Sequence, residues 1–286
     1  MVMLRIRHIT TYRYRHAVAL GPHRLMLRPR ESRDLRVITS ELLVTPEAAV
    51  TWAQDVFGNA VANAGFRTMT DTLIVDSTVT LELHALAWPV FDVAARAISY
   101  PFRYADDEWT DLGALATNQY PDPTGRLHLW AQGFVRSNPT DTLSLLKDLS
   151  AGIFASISYQ SRDDEGTQTP LQSLDRGWGS CRDLAVLFAE AARSLGFGAR
   201  IVSGYLVTSA GVLGSSDSGS THAWAEVYVP GAGWITFDPT NRSIGGFNLI
   251  PVGVGRDIAQ LVPVTGSFVG LNQALLDMTV TVSVTG

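Results

Sequence analysis

Residues 176–184 read Arg-Gly-Trp-Gly-Ser-Cys-Arg-Asp-Leu and contain the only cysteine of the 286-residue chain. Ser180, followed three residues later by Asp183, forms a capping-box pattern, which predicts that a helix begins here. Apolar residues recur at helical spacing as far as Leu195, and glycines follow. Cys181 is therefore expected at the first helical position, where the positive end of the helix dipole favours the nucleophilic thiolate. Taken alone, this cysteine is interpreted equally well as a small buried core residue.

Two motifs downstream favour the catalytic interpretation. Residues 221–229 predict a strand that begins near His222, and residues 234–241 predict a second strand that ends at Asp238. The Pro-Gly-Ala-Gly turn between them predicts a hairpin, in which the start of one strand lies near the end of the other. Cysteine, histidine and aspartate then supply a nucleophile, a base and a group that orients the base.

The length of the hairpin loop decides whether the histidine and the aspartate share a face. A four-residue loop pairs Val229 with Trp234, and Asp238 then points to the same side as Ala225, away from His222. The predicted site therefore requires an odd-length loop or a bulge. The glycines at 231 and 233 permit either, because glycine accepts a positive φ.

The oxyanion of a tetrahedral intermediate requires hydrogen-bond donors. The backbone N–H of Cys181, at a helix start, is the expected first donor. Tyr159 and Trp178 are candidates for the second, and a purely structural role is the alternative for each. Asp183 is expected to cap the helix beside the nucleophile. Trp224 is expected on the strand face that carries the histidine, where it shields the imidazole from water, packs in the core, or does both.

Three motifs in this order resemble the bacterial transglutaminase-like superfamily: Gly-Ser-Cys-Arg-Asp at 179–183, His-Ala-Trp-Ala-Glu-Val at 222–227 and Asp-Pro-Thr-Asn at 238–241. The N-terminal part resembles the β domain that precedes the catalytic core in that family, through Tyr12, Tyr14, Arg24-Leu25, Pro29-Arg30 and residues 55–59. The resemblance extends over nearly the whole chain and implies a papain-like chemistry. Cys181 would be the nucleophile, His222 the base and Asp238 the orienting group.

The resemblance also implies acyl transfer from an amide through a thioester, to water or to an amine. The family includes crosslinking enzymes, proteases and peptide amidases. We expect a cysteine-dependent hydrolase, a protease, peptidase or amidase that acts on a peptide or protein substrate. The alternatives are crosslinking or deamidation of protein glutamine, and a catalytically silent binding module with the same fold.

The expected fold class is α+β with a change of character along the chain. Residues 1–86 predict an antiparallel β-sandwich, since they hold several short strands separated by turns. Residues 87–139 form a connecting region. Residues 140–286 predict the transglutaminase-like core, in which a helix that bears the cysteine packs on an antiparallel sheet that bears the histidine and the aspartate. A first core helix is predicted from Thr140, its cap, to about Phe154, and the last strand can return to the β domain.

The composition excludes several classes of partner. The net charge of −5 comes with no basic stripe, which argues against nucleic-acid binding. The apolar stretches are too short to cross a bilayer, and the N-terminal residues alternate like a strand rather than forming the apolar run of a signal peptide. One cysteine excludes an internal disulfide. We therefore expect a cytoplasmic protein that binds neither nucleic acid nor membranes.

No metal or cofactor is expected. The acidic clusters at 106–108 and 163–165 lack the spacing of a calcium loop, and the remaining histidines lack the spacing of zinc ligands. The Gly- and Ser-rich segment 209–220, directly before His222, predicts a flexible loop that can gate the site.

Overall fold

The computed structural model describes residues 2–161, 166–207 and 219–286. Its first part is built from antiparallel strands, and in the sixth strand every second residue from Leu73 to Leu83 is buried. This alternation is the pattern of a strand with one face on a core. The six strands are β1 (Val2–Leu20), β2 (His23–Leu25), β3 (Leu35–Thr45), β4 (Ala49–Gln54), β5 (Ala60–Gly65) and β6 (Met69–Leu83).

Short helices and two-residue strands follow. They are β7 (Ser99–Tyr100), α1 (Asp106–Leu112), α2 (Arg126–Gln132), β8 (Thr140–Asp141), α3 (Thr142–Ser156), β9 (Ser158–Tyr159), α4 (Pro170–Arg176), β10 (Trp178–Gly179) and α5 (Cys181–Ser194). The predicted cap of α3 was wrong by one residue. Asp141 rather than Thr140 caps this helix, because the Asp141 carboxylate accepts a 2.7 Å hydrogen bond from the Ser144 N–H.

The remaining strands complete the molecule. They are β11 (Ala199–Val207), β12 (Gly219–Val229), β13 (Gly233–Asp238), β14 (Ser243–Ile244), β15 (Leu249–Gly255), β16 (Val264–Thr265), β17 (Phe268–Val269) and β18 (Leu275–Thr285). Five of them form an antiparallel sheet in the order β14, β13, β12, β11, β15. Single 3-10 turns lie at Ala95–Ala97, Gly113–Ala116 and Ile258–Leu261.

The last strands return to the first part of the chain. One sheet has the order β17, β1, β6, β3, and β18 pairs with β1 along most of its length. A second sheet has the order β16, β2, β5, β4. The N-terminal β layers therefore contain strands from both ends of the sequence. The strands of the five-stranded sheet come between these two groups in the sequence.

The helix that begins at Cys181 forms the centre of the larger core. Every residue from Asp183 to Arg193 is buried, so α5 is enclosed on all sides. It packs on β12, where the small side chains of Ala223 and Ala225 allow a close approach. The expected α+β class, with a cysteine-bearing helix on an antiparallel sheet, is confirmed. The acidic cluster at 163–165 lies outside the described residues, as do residues 209–218 of the predicted gating loop. Residues 219–220 of that loop begin β12.

Candidate active site

The start of α5 is fixed by one buried carboxylate. Oδ2 of Asp183 accepts hydrogen bonds from the backbone N–H and the hydroxyl of Ser180, both at 2.8 Å. Its Oδ1 accepts a 2.7 Å hydrogen bond from the backbone N–H of Gln168. Asp183 therefore closes the helix end, and Cys181 is the first helical residue, as the sequence predicted. Cys181 is only partly buried, which leaves its side chain within reach of a substrate.

The hairpin has the odd-length loop that the site requires. Val229 pairs with Gly233, so three residues form the loop, and Ala225 pairs with Phe237 further along the strands. Gly231 and Gly233 have φ values of 86° and 73°, which other residues rarely adopt. If this register continues by one residue, Asp238 lies opposite Trp224. Trp224 and His222 are two residues apart on one strand and share a face, so Asp238 lies on that face as well.

The histidine and the aspartate form a buried pair. Nε2 of His222 lies 2.8 Å from Oδ2 of Asp238, and both side chains are almost entirely inaccessible to solvent. Cys181 is close enough to His222 to raise the pKa of the imidazole. Burial alone would lower the pKa of His222, but the hydrogen bonds and charges of Asp238 and Cys181 outweigh it and raise the pKa to about 9. His222 is consequently an imidazolium at neutral pH.

Asp238 is held ionised by His222 and by the turn that follows it. Burial would raise its pKa, but hydrogen bonds from His222, Asn241 and Thr240 keep the pKa below its ordinary value. The backbone N–H groups of Thr240 and Asn241 donate to Oδ1 at 3.0 and 3.3 Å, and the Asn241 side chain donates to Oδ2 at 2.7 Å. No role for Asn241 was predicted from the sequence. The signal was the Asp-Pro-Thr-Asn motif itself, because an aspartate often accepts from N–H groups two or three residues later.

Trp224 lies against the histidine. Its ring stacks on the His222 ring at a centroid distance of 6.0 Å and an angle of 28°, and the side chain is 1% exposed. Within the described part of the chain, the indole N–H has no hydrogen-bond partner. The ring is therefore packed in the core and against the imidazole, and shielding of His222 from water stays a prediction.

The two oxyanion candidates differ in their surroundings. Tyr159 pairs with Gly179 in the parallel pair β9–β10, and Gly179 is two residues before Cys181 in the sequence. Burial raises the pKa of Tyr159, and so does the negative charge at Cys181, while a hydrogen bond with Ser161 opposes the change. The Tyr159 hydroxyl is thus electrostatically coupled to the sulfur. The ring of Trp178 instead faces the Arg176 guanidinium at 5.6 Å, and its carbonyl accepts from Gln168.

The acidic cluster at 106–108 belongs to the first turn of α1. Glu108 forms a 2.7 Å ion pair with Arg96 and accepts from the N–H of Ala105, so this carboxylate serves the helix start. The described residues contain no group of three or more histidine, cysteine, aspartate or glutamate side chains with the geometry to hold a metal.

No helix in the described ranges is both long and apolar enough to span a bilayer.

Comparison with known proteins finds a family model that matches each part of the chain. Residues 128–239 match the transglutaminase-like superfamily, and residues 4–82 match the bacterial transglutaminase-like N-terminal region. The chain therefore contains a transglutaminase-like core preceded by the N-terminal region found in its bacterial relatives. This confirms the resemblance seen in the sequence, and the match to the superfamily supports cysteine-type catalysis in general.

Relatives over the whole length come from mycobacteria. An uncharacterised Mycobacterium tuberculosis protein is 29% identical over 295 residues, which cover 97% of this chain and 91% of the relative. An uncharacterised Mycobacterium leprae protein is 25% identical, with 99% of each chain covered. Among solved structures, a candidate cysteine protease from Cytophaga hutchinsonii shares the fold with a TM-score of 0.76 and 19% identity, over 99% of this chain and 90% of that one.

Proposed function

We propose that this protein is a cysteine-dependent hydrolase of amide bonds, with Cys181 as nucleophile, His222 as acid and base, and Asp238 as the group that orients the histidine. The observation that supports this most strongly is the buried hydrogen bond of 2.8 Å between His222 and Asp238, with Cys181 near enough to raise the pKa of His222. Nucleophile, base and orienting group in this arrangement are the requirements of covalent acyl transfer.

The proposed reaction has two steps. The Cys181 sulfur attacks the amide carbonyl carbon, a C–S bond forms, and the carbonyl oxygen becomes an oxyanion. His222 then donates its proton to the departing nitrogen, the C–N bond breaks, and a thioester remains. In the second step a water molecule attacks the thioester while His222 takes its proton. The C–S bond breaks, the acid is released and the thiolate–imidazolium pair is restored.

The oxyanion is stabilised in this proposal by two donors. The backbone N–H of Cys181 lies at the start of α5, where N–H groups are not used inside the helix. The hydroxyl of Tyr159 is the proposed second donor, and the effect of Cys181 on the pKa of Tyr159 supports this because it requires the two side chains to lie near each other. Trp178 is less suited to this role, since its ring is engaged with Arg176.

Hydrolysis is proposed ahead of crosslinking because transfer to an amine requires a site that holds the amine and excludes water. The proposed substrate is a peptide or a protein, met in the cytoplasm, and neither nucleic acid nor a membrane is a proposed partner. Crosslinking or deamidation of protein glutamine is the second candidate. The buried hydrogen bond between His222 and Asp238 argues against a catalytically silent binding module, because binding alone does not require an oriented histidine.

A peptide library tests the proposal in one experiment. The protein is incubated with the library, with and without a small primary amine, and the products are analysed by mass spectrometry. Hydrolysed peptides support the proposal, and amine-modified peptides support the second candidate. Cys181→Ala and His222→Ala should abolish either product. The matched control is His84→Ala, because His84 is a partly exposed histidine of the N-terminal part that pairs with Glu82. Wild-type activity in Cys181→Ala would exclude the mechanism.

A further inference from the structure

The turn between β4 and β5, residues Asp55–Asn59, is a rigid element of the N-terminal β layers. One carboxylate organises it, since Asp55 accepts from the backbone N–H groups of Phe57 and Asn59 at 3.0 and 2.9 Å and from the Asn59 side chain at 2.8 Å. Gly58 has a φ of 72°, which a glycine adopts without strain. Val56, at the tip, is 94% exposed. The turn is therefore preformed, and it projects Phe57 and Asn59 on one side.

Asn59 joins this turn to the five-stranded sheet. It is buried, its amide nitrogen donates to the Val254 carbonyl at 2.8 Å, and its oxygen accepts from the Val254 N–H at 2.9 Å. Both backbone groups of one β15 residue are thus bound by one side chain. Arg30 reinforces the junction, because its guanidinium donates to the Asn59 side chain at 2.6 Å and to the Phe57 carbonyl at 3.0 Å.

A row of paired residues leads from this junction to the candidate site. Val254 pairs with Val202, Val202 pairs with Trp224, and the hairpin register continues the row to Asp238. Directly paired residues of neighbouring strands lie on the same face of a sheet. The turn therefore contacts the sheet on the face that carries His222, Trp224 and Asp238. It does so at the β15 edge, and Asp238 lies towards the other edge.

Phe57 provides the contact with that face. It packs against a buried cluster of Val202, Trp224, Leu249 and Val254. The Trp224 ring in turn stacks on His222, and it lies over Gly204, where an added Cβ would be 2.9 Å from the ring. Gly204 is the residue that pairs with His222 across the strands. The indole thus belongs to the cluster against which Phe57 packs, lies close to the backbone of β11 and stacks on the imidazole.

We propose that the Asp55–Asn59 turn is a positioning element for the catalytic histidine and that Phe57 acts on His222 through Trp224. An imidazole ring rotates in a broad torsional well, so a hydrogen bond to Asp238 together with an orientation towards Cys181 requires a ring that is confined from its face. The turn supplies that confinement. The N-terminal β layers are in this view part of the active site. This inference rests on the proposed function, since it assigns a role in the same site.

The test compares Phe57→Ala with Val56→Ala, an adjacent truncation of an exposed residue in the same turn. The measured quantity is the rate at which iodoacetamide alkylates Cys181 between pH 5 and pH 10, together with the melting temperature. We expect Phe57→Ala to slow alkylation at pH 6 by about 3- to 30-fold, less than the about 10²-fold that a 1 Å misplacement of reacting groups can produce. The upper limb of the profile, which reports His222, should shift to lower pH. Phe57→Leu should restore most of the rate, and Val56→Ala should match wild type.

A double-mutant cycle separates a positioning role from a structural one. If Phe57 acts through the histidine, Phe57→Ala should have no further effect on alkylation in a His222→Ala background. A Phe57→Ala protein with a lower melting temperature but a wild-type rate and pH profile would overturn the inference. If Phe57→Ala does not fold, the less severe truncation Phe57→Val replaces it, with the same expected slowing at pH 6 and the same overturning result. If His222→Ala alone leaves alkylation of Cys181 unchanged, the proposed function fails rather than the role of the turn.

Discussion

Val229 pairs with Gly233 across a loop of three residues, and this one pairing determines that His222 and Asp238 share a face of the sheet. With a four-residue loop that paired Val229 with Trp234, Asp238 would point away from His222. The 2.8 Å hydrogen bond between the two side chains is therefore a consequence of loop length. The predictions below follow from that pair and from its position beside Cys181.

The charge of Asp238 should contribute more to catalysis than its shape. Asp238→Asn keeps nearly the same volume, so the fold should persist, but an amide carries no charge to stabilise the imidazolium. In a serine-protease triad, a general example of such a site, the same change lowers turnover about 10⁴-fold. Because the resting site already holds a positive His222, we expect a smaller loss here, about 10- to 10³-fold. Turnover of a substrate identified for the wild type measures it. Wild-type turnover in Asp238→Asn would show that the pair has no catalytic role.

The reactivity of Cys181 should depend on pH in a way that reports His222. The pKa of His222 is raised to about 9, so a positive charge stands beside the sulfur throughout the neutral range. We expect iodoacetamide to alkylate Cys181 faster at pH 6 than it alkylates a model thiol, and His222→Ala to slow the reaction. An alkylation rate in wild type that follows one titration near pH 8.5, the value of an ordinary thiol, would contradict this account.

The same pair should make the free energy of unfolding depend on pH. The pKa of His222 is about 9 in the folded protein against 6.5 ordinarily, so its contribution is complete below pH 6.5 and disappears as the pH rises through 9. The pKa of Asp238 is lowered from 3.8, so its contribution is complete above that value and disappears as the pH falls through the lowered pKa. Urea unfolding should therefore separate wild type from Asp238→Asn more at pH 6 than at pH 10. An equal separation at both values would mean that the ion pair does not contribute.

Tyr159 should affect the chemical step and leave the fold intact. Tyr159→Phe removes only the hydroxyl of a side chain that is 54% exposed, so the melting temperature should stay near that of wild type. Loss of one oxyanion donor typically lowers the rate about 10²- to 10³-fold, and the loss should appear in kcat rather than KM. Trp178→Phe is the comparison variant and should retain most of the activity. A wild-type kcat in Tyr159→Phe would remove Tyr159 from the oxyanion site.

The sequence predicted those parts of the site that local rules control. Ser180 and Asp183 identify the start of α5, since a capping box operates within one helical turn. The strands around His222 and Asp238 follow from alternation and from the glycines of the turn. The sequence leaves the length of the hairpin loop open, because both an odd-length loop and a bulge fit the same glycines.

The parts that the sequence did not reveal depend on contacts between distant residues. Asn59 binds Val254 across 195 positions of sequence, and a single sequence carries no signal for such a pairing. Asn241 contacts Asp238 three residues away, but its side chain has a role only because the carboxylate is turned towards the histidine. The cap of α3 was misplaced because Thr140 and Asp141 are both good capping residues and only the backbone conformation distinguishes them.

The most direct test of the central claim is the activity of Cys181→Ala on a substrate that the wild type turns over. The account predicts no measurable turnover in the variant, because the thioester cannot form without the sulfur, and a melting temperature near that of wild type, because Cys181 is only partly buried. Mass spectrometry of the wild type with the same substrate should detect the acyl group on Cys181. Equal turnover in wild type and Cys181→Ala would contradict the mechanism and favour a binding function for this fold.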